Sequence, residues 1–546
     1  MSMQKPSPTT FPRPQAVSHR TSEQSVLILV LAGTLVLIGL VARLSPFFDV
    51  DGRLFWQYMT EDGYLMQTVA RNMAMGLGMS TAEGTIPTNG VQPLATFLFA
   101  GLHWLAKGDK TLGIAYVSLL STMIALAATW LLARVGEMVF GHLPQGRSLA
   151  YVAAALWFSA PHITRHSMNG LETGLYQASL LLAMLFFLRR FCTATAPDWR
   201  SRLLLGILLG LTFLARNDAV FFIASLLTVH LLVPMPERNE AFSSRFMTTL
   251  MAGMVSVFIA SPWLINNYLG FGSIIPISGT AQSHWADLGK NLPWVAAYLF
   301  EVAWVWLPIP SSLETLLPVQ ALTFAATATA LAAYWFWVGR HASVAKTHFL
   351  TALLFTAGIV TYYGLYFGAN WFLPRYFSAA SPFLWLFIVG SVYVGSRALF
   401  TSERLRMAGA YVGIVTLAAM GVAFDANDFR QGTHHMHKQV VDWSQAHLGP
   451  EVWVGAPQTG TLGFFHDRTI NLDGKVNPQA LASLVEHGHI LHYTLASPVQ
   501  YIIDWVGMAG WVDMNQKSSE FGKSFEVIVE DPTLNLAVLK RRGSVP

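Results

Sequence analysis

Long apolar stretches separated by short polar segments fill the first 424 residues of the chain. The first stretch, 25–44, has about 20 residues, enough for a helix to cross the ~30 Å hydrocarbon core of a bilayer. Because ten similar stretches follow, the pattern predicts a polytopic α-helical membrane protein with about eleven transmembrane helices. The other ten predicted spans are 111–133, 148–161, 173–188, 203–215, 219–234, 246–268, 318–338, 347–367, 377–396 and 407–424.

Two further apolar stretches, 91–106 and 291–308, are ambiguous. The first is short and contains Pro93, and the second contains Glu301. If neither crosses the membrane, the lysines and arginines of the short loops gather on one side, as the positive-inside rule expects of the cytoplasmic side. We therefore expect two interfacial helices and a cytoplasmic N-terminus. The cytoplasmic loops then hold Arg134, Arg147, Arg189, Arg190, Arg200, Arg202, Arg238, Arg245, Arg340, Lys346, Arg397, Arg404 and Arg406, against Arg165, Arg216 and Arg375 in the opposite short loops.

The composition of the chain differs at its two ends. The first 24 residues are rich in Pro, Ser and Thr, which predicts a disordered cytoplasmic tail. After residue 424 the apolar runs shorten, which predicts strands at 451–455 and 525–529 and a helix at Pro478–His487. An odd number of spans places this part outside the cytoplasm. The predicted division is a tail at 1–24, a membrane domain at 25–424 with a long first external loop at 45–110, and a small soluble α/β domain at 425–546.

The overall composition supports a membrane protein. Hydrophobic residues make up 53% of the chain and charged residues 12%, with a mean hydropathy of +0.44; a soluble domain has about 25% charged residues. A net charge of +4 gives no indication of a nucleic-acid partner. The single cysteine, Cys192, excludes an intramolecular disulfide.

Two adjacent acids, Glu61 and Asp62, lie in the long first external loop. Carboxylates at the mouth of a membrane domain can act as a general base or hold a divalent cation. They can also be simply solvated. Asp49 and Asp51, earlier in the same loop, could compete for a catalytic role.

The sequence around these acids resembles the first external loop of the GT-C glycosyltransferases. An acidic pair and a tyrosine, Tyr64, are followed by Arg71-Asn72, by a Gly-x-Gly at 76–78 and by an Asn-x-x-x-Pro-Leu segment at 89–94. The order is most similar to the bacterial arabinofuranosyltransferase-like branch. The protein O-mannosyltransferase and aminoarabinose transferase branches share a looser version.

Later segments extend the resemblance over most of residues 25–480. They are Asn-Gly-Leu-Glu-Thr at 169–173, Arg-Asn-Asp at 216–218, Arg375-Tyr376, and the glycine-containing turns at 460–465 and 471–474. The order of these segments, more than any one of them, carries the resemblance. Two departures are Glu61, where that branch more often has Asp, and Asn217, where it has Pro.

This resemblance implies an integral membrane enzyme that moves a sugar from a polyprenyl-phosphate carrier to an acceptor hydroxyl of an envelope glycan, lipid or protein. Glu61 or Asp62 would deprotonate the acceptor, and Arg375 or Arg216 would stabilise the departing phosphate. It implies a bacterial inner membrane location, no certain cofactor, and room for a divalent cation whose ligands stay unknown. The partners implied are the lipid-linked donor, the acceptor and the bilayer, without nucleic acid.

Further polar residues lie on the same predicted face of the membrane and are expected to bind substrate. His162 and His166, four apart, share one face of a helix and could bind a metal or line the site. Arg216 and Arg375 could instead anchor at the interface, with Asp218 as a structural partner of Arg216. The predicted substrate-binding set is Arg71, Asn72, Asn89, Gln92, His162, His166, Glu172, Arg216, Asp218, Arg375 and Tyr376.

A transporter or flippase of an envelope precursor is the alternative function. It would place its decisive acids in the middle of spanning helices, where this sequence has few. It would also commonly show an internal repeat, and none is visible by eye. A non-enzymatic assembly factor is a third possibility. The histidines at 434, 435 and 437 in the C-terminal part predict a solvated cluster.

Overall fold

The computed structural model describes residues 19–48, 52–192, 197–234, 240–284, 286–431, 435–508 and 519–543. The predicted disordered tail at 1–24 therefore falls mostly outside the described residues, as do Asp49, Asp51 and His434. Its described part, 19–24, is helical and belongs to the first helix. The helices of the membrane domain are α1 His19–Leu44, α2 Arg53–Trp56, α3 Glu61–Ala74, α4 Pro93–Leu105, α5 Lys110–Phe140, α6 Gly146–Ser159, α7 Pro161–Met168, α8 Thr173–Phe191, α9 Trp199–Ala215, α10 Ala219–Leu232, α11 Phe242–Phe271, α12 Ile277–His284, α13 Leu292–Ala303, α14 Leu317–Tyr334, α15 Ser343–Tyr366, α16 Leu373–Phe377, α17 Ser381–Leu399 and α18 Glu403–Gln431.

All eleven predicted spans are helical. Within the described ranges, eight segments are long and apolar enough to cross a membrane, and they cover all or most of α1, α5, α8, α11, α14, α15, α17 and α18. The remaining three, α6, α9 and α10, have 14, 17 and 14 residues. At 1.5 Å per residue a 14-residue helix is about 21 Å long, which is shorter than the hydrocarbon core. The multi-spanning helical architecture is confirmed, with eight rather than eleven full-length candidate spans.

The two ambiguous stretches form short helices. The stretch at 91–106 becomes α4, with 13 residues, and packs on α3 and α5. The stretch at 291–308 contains α13, with 12 residues, which packs beside α14, α16 and α17. Their location on the membrane surface stays a prediction.

Small residues bring the membrane helices together. In α9 a Cβ on Gly206 would lie 2.6 Å from Val255 of α11, and one on Gly210 would lie 2.6 Å from Ile259. Two glycines four residues apart therefore give α9 a flat face along α11, a common solution in membranes because close backbone approach supplies van der Waals contact.

The C-terminal part forms the predicted small α/β fold. Its helices are α19 Lys438–His447, α20 Gly460–Phe465, α21 Pro478–His487, α22 Leu491–Ala496 and α23 Ser519–Ser524. The chain's strands are β1 Ser80–Thr81, β2 Ile86–Pro87, β3 Val454–Ala456, β4 Thr469–Asn471, β5 Tyr501–Asp504, β6 Phe525–Asp531 and β7 Leu536–Arg541. The last five form one sheet in the order β4-β3-β5-β7-β6, parallel for β4-β3-β5 and antiparallel for β5-β7-β6.

The described part of the loop predicted to be external, 45–48 and 52–110, is folded and packs against the C-terminal domain. A short β1–β2 hairpin lies between α3 and α4, and α20 packs on α3. A Cβ on Gly90 would overlap the backbone carbonyl of Lys475, and one on Gly460 would overlap the carbonyl of Glu61. Because only glycine permits these two approaches, loop and domain meet backbone to backbone. This contact positions the candidate site.

Candidate active site

The acidic pair occupies the first turn of α3. Thr60 caps this helix, with its hydroxyl oxygen accepting a hydrogen bond of 3.1 Å from the Gly63 amide. A carboxylate in a first turn is favoured by the partial positive charge of the helix N-terminus. A Cβ on Gly63 would overlap the carbonyl oxygen of Asn169, so the pair is fixed close to the turn that precedes α8.

Glu61 is bound by the C-terminal domain. The backbone amides of Gly460 and Thr461 donate to its two carboxylate oxygens, the latter at 2.9 Å, and the Thr461 hydroxyl also donates. The His437 ring nitrogen Nδ1 lies 3.5 Å from the same carboxylate. Both oxygens are thus occupied by an interdomain contact. A catalytic role for Glu61 stays a prediction.

Asp62 instead faces the membrane domain. The Arg375 guanidinium on α16 donates a hydrogen bond of 2.7 Å to its carboxylate. Burial alone would raise the pKa of Asp62, but the positive charges of Arg375 and Lys475 outweigh burial and hold this pKa below its usual value. Asp62 is therefore ionised at neutral pH, with its side chain 25% exposed.

Arg216 forms a buried cationic centre in the turn between α9 and α10. Only 2% of it is exposed, and its Nε lies 3.1 Å from Asp218 and 3.7 Å from Glu172. Its two terminal nitrogens, Nη1 and Nη2, have no hydrogen-bond partner among the described residues. A buried guanidinium with unused donors is suited to an anionic ligand with several oxygens.

Tyr376 connects the two arginines. The Arg216 guanidinium carbon lies 4.3 Å from the centre of the Tyr376 ring, and that of Arg375 lies 5.1 Å from it. Arg375 also donates to the Tyr376 hydroxyl at 3.3 Å. Tyr363 stacks on this ring at 4.2 Å and donates to Asp218 at 2.8 Å. The structure therefore joins Asp62, Arg375, Tyr376, Arg216, Asp218 and Glu172 in one cluster.

The two histidines of α7 lie beside this cluster. Their ring centres are 4.4 Å apart. Burial lowers the pKa of His162 to about 4, and burial with the nearby charges of Arg375 and Arg216 lowers the pKa of His166 well below its usual value. The Nε2 of His162 is buried without a partner in the described structure. Both rings are thus neutral polar groups at neutral pH.

A metal site at these residues stays a prediction. The described residues contain no group of three or more His, Cys, Asp or Glu side chains that could hold a metal ion. The oxygens of Glu61 are occupied by amides, and Asp62 is paired with Arg375. Asp49 and Asp51 lie outside the described ranges.

Asn89 and Gln92 lie where the first loop meets the membrane domain. The Asn89 side chain accepts a hydrogen bond of 3.0 Å from the Ile277 amide at the start of α12, and its Nδ2 is buried without a partner in the described chain. The Oε1 of Gln92, just before α4, is likewise buried and unpartnered there. Their substrate contacts stay a prediction.

Arg71 and Asn72 form hydrogen bonds that stabilise the first loop. Arg71 donates to the Gly108 carbonyl at 2.8 Å and pairs with Asp467 of the C-terminal domain at 3.1 Å. Asn72 donates to the Ser80 carbonyl at 3.0 Å. These contacts give both residues a structural role, and their predicted substrate binding is not tested by them.

Sequence reasoning missed groups that the C-terminal domain contributes. The prediction of solvated histidines is wrong for His437, which is 2% exposed and stacks on Trp505 at 4.4 Å. Its Nε2 lies 3.9 Å from the buried Asp504, whose pKa burial raises well above its usual value. Lys475, which follows the recognised turn at 471–474, places its charge near Asp62. That turn was the only feature of the neighbouring sequence that could have indicated a role for Lys475 in the site.

Comparisons with known proteins agree with the predicted fold. A family model described as dolichyl-phosphate-mannose-protein mannosyltransferase matches residues 90–266. The structure of ArnT from Cupriavidus metallidurans bound to undecaprenyl phosphate is 12% identical, with a TM-score of 0.57, covering 96% of this chain and 99% of that one. No curated protein sequence matches the chain.

An archaeal structure is similarly related. The oligosaccharyltransferase AglB from Archaeoglobus fulgidus, in complex with an inhibitory peptide and a dolichol-phosphate, is 14% identical, with a TM-score of 0.56, covering 97% of this chain and 75% of that one. The chain thus has the GT-C fold, and its predicted resemblance to the GT-C glycosyltransferases is confirmed. Membership of the arabinofuranosyltransferase-like branch stays a prediction.

Proposed function

We propose that the chain is an integral membrane glycosyltransferase that moves a sugar from a polyprenyl-phosphate carrier to an acceptor hydroxyl of an envelope glycan, lipid or protein. The observation that carries this proposal is the arrangement of Asp62, Arg375 and Arg216. An ionised carboxylate is hydrogen-bonded to one arginine, and one tyrosine ring separates that arginine from a second, buried one with free donors. Sugar transfer from a lipid phosphate needs a base and a cationic site for the leaving phosphate.

Asp62 is the proposed base. The acceptor hydroxyl gives its proton to the Asp62 carboxylate while its oxygen bonds to the anomeric carbon, and the bond from that carbon to the phosphate oxygen breaks. Arg375 and Arg216 stabilise the charge that develops on the phosphate. A bound phosphate competes with Asp62 for Arg375, which weakens the pair that lowers the Asp62 pKa. The carboxylate thereby becomes a stronger base when donor is present.

Glu61 has a different proposed role. Its oxygens accept hydrogen bonds from Gly460 and Thr461, so it anchors the C-terminal domain over the site. The two neighbouring acids then have different roles: Asp62 accepts the proton, and Glu61 positions the C-terminal domain.

The proposed location of the reaction is the extracytoplasmic face of a bacterial inner membrane. The loop that carries Arg375, the turn that carries Arg216 and the C-terminal domain lie together in the structure, and the positive-inside rule puts them opposite the arginine-rich loops. The ligands of the structural neighbours, undecaprenyl phosphate and dolichol-phosphate, support a polyprenyl-phosphate donor.

A transfer assay tests the proposal. Purified protein in nanodiscs would receive labelled undecaprenyl-phosphate and dolichyl-phosphate sugars one at a time, with membrane extract as acceptor, with and without a chelator. We expect label to move from one donor to acceptor and free lipid phosphate to be released. Intact donor with every sugar, together with movement of lipid-linked sugar across proteoliposomes, would reject the transferase and favour the flippase.

A further inference from the structure

Lys475 is a residue of the C-terminal domain whose backbone is fixed against the first external loop. Gly474 before it adopts φ +82°, and the Lys475 amide donates to Asp473 at 3.0 Å. Its carbonyl meets Gly90 so closely that no Cβ fits there. The position of this lysine therefore depends on the contact between the two domains.

The ammonium group of Lys475 points to the same aromatic ring as Arg375. Its Nζ lies 3.0 Å from Asp473 and 5.8 Å from the centre of the Phe372 ring. The Arg375 guanidinium carbon lies 5.0 Å from that ring centre. Two cations from different domains thus converge on Phe372, and the side chain of Lys475 is 30% exposed.

Lys475 and Arg375 both have hydrogen-bond donors without an acceptor among the described contacts. An ammonium group has three N–H donors, and the described contacts of Lys475 include one acceptor, Asp473. The Nε of Arg375 is buried without a partner among the described residues. The charge of Lys475 helps to lower the pKa of Asp62, although no ion pair joins the two side chains within the described structure. These free donors can bind the oxygens of a ligand.

The cations of the cluster lie beside carboxylates, so binding of an anionic ligand depends on each cation. Each cation of the site already faces a carboxylate: Arg375 faces Asp62, Lys475 faces Asp473, and Arg216 faces Glu172 and Asp218. An anionic donor binds beside these carboxylates only through cations that keep free hydrogen-bond donors.

We propose that Lys475 is the part of the donor-phosphate site that the C-terminal domain supplies, binding phosphate oxygens together with Arg375. This inference rests on the proposed function and makes the C-terminal domain part of the active site. Donor binding then requires the docked domain.

Binding of undecaprenyl phosphate without sugar, measured in nanodiscs as a Kd, tests this role. Lys475→Met should weaken binding at least about tenfold, whereas Lys475→Arg, which keeps the charge, should stay within about threefold of the unmodified protein. Lys438→Met is the matched control, because Lys438 also pairs with an aspartate, Asp442 at 2.6 Å, and also lies near a ring, Trp56 at 5.9 Å. It should bind like the unmodified protein.

The outcomes separate the inference from the proposed function. Unchanged affinity in Lys475→Met overturns the inference, even if the pH profile of transfer shifts, because Lys475 would then act on Asp62 alone. Equal weakening in Lys438→Met also overturns it. Should Lys475→Met fail to fold, Lys475→Gln decides by the same criterion. If the unmodified protein neither binds the lipid phosphate nor transfers sugar, the proposed function itself fails.

Discussion

Arg375 donates a hydrogen bond of 2.7 Å to Asp62 across 313 positions of the chain. The contact joins α16, near the end of the membrane domain, to α3 in the first external loop. In the proposed reaction the donor phosphate shares Arg375 with Asp62 and weakens this pair, so its two members should respond differently to substitution.

Arg375→Lys should weaken binding of undecaprenyl phosphate by about tenfold or more. Lysine keeps the charge but loses the planar fork that can bind Asp62 and a phosphate together. The measurement is the Kd in nanodiscs, with Arg397→Lys in the last turn of α17 as control. An Arg375→Lys variant with unmodified affinity would show that Arg375 does not contact the phosphate.

Glu61→Gln should loosen the C-terminal domain. The neutral amide cannot accept the charge-assisted hydrogen bonds of Gly460, Thr461 and the Thr461 hydroxyl at once, and such bonds contribute about 1.5–3 kcal/mol each. We expect faster hydrogen exchange at those two amides and a lower Tm.

The matched control for that substitution is Glu83→Gln. Glu83 also crosses from the first loop to the C-terminal domain, pairing with Arg468 at 2.7 Å, but at an exposed position worth about 0–1 kcal/mol. If Glu61→Gln kept unmodified exchange and Tm yet lost all transfer, Glu61 would be the base and the anchor role would be rejected.

Arg216→Met should destabilise the protein strongly, by about 3–5 kcal/mol, because it leaves Glu172 and Asp218 buried without their cation. Adding Asp218→Asn to Arg216→Met should recover part of the lost Tm, since one uncompensated charge disappears. Lipid-phosphate binding should be lost in Arg216→Met and should not return in the double variant. A Tm unaffected by Arg216→Met would contradict the structural role of the ion pair.

The stability of the protein should fall as the pH falls from about 6.5 to about 4. Burial holds the pKa of His162 at about 4, below its usual 6.5, so the unfolded chain binds this proton over that range and the folded protein does not. His162→Gln should flatten the decline in Tm, whereas His447→Gln, at an exposed position, should not. Identical slopes for the two variants would mean that His162 is not buried as a neutral ring.

The helices could be predicted because their signal is local. A run of about 20 apolar residues specifies a spanning helix without reference to the rest of the chain, and Asn477 and Gly488 bound α21 by capping contacts within a few residues. The predicted spans at 148–161 and 219–234 show the limit, because α6 and α10 have only 14 residues each. In α6 the helix ends at Ser159, and Pro161 starts α7.

The partners of the site residues could not be predicted in this way. Glu61 meets Gly460 across 399 positions, and the buried His437 lies beside Glu61 of α3 and stacks on Trp505. The sequence placed Glu61 and Asp62 together as equivalent acids, because nothing local distinguishes them. Their neighbours, the amides of Gly460 and Thr461 for Glu61 and the guanidinium of Arg375 for Asp62, lie 399, 400 and 313 positions further along the chain.

The most direct test of the account is the turnover of donor by Asp62→Asn, measured beside the unmodified protein at saturating polyprenyl-phosphate sugar. A positioned general base contributes about 10²–10⁴-fold, so we expect kcat to fall by at least about 100-fold while undecaprenyl phosphate still binds. A kcat within about threefold of the unmodified protein would contradict the assignment of Asp62 as the base.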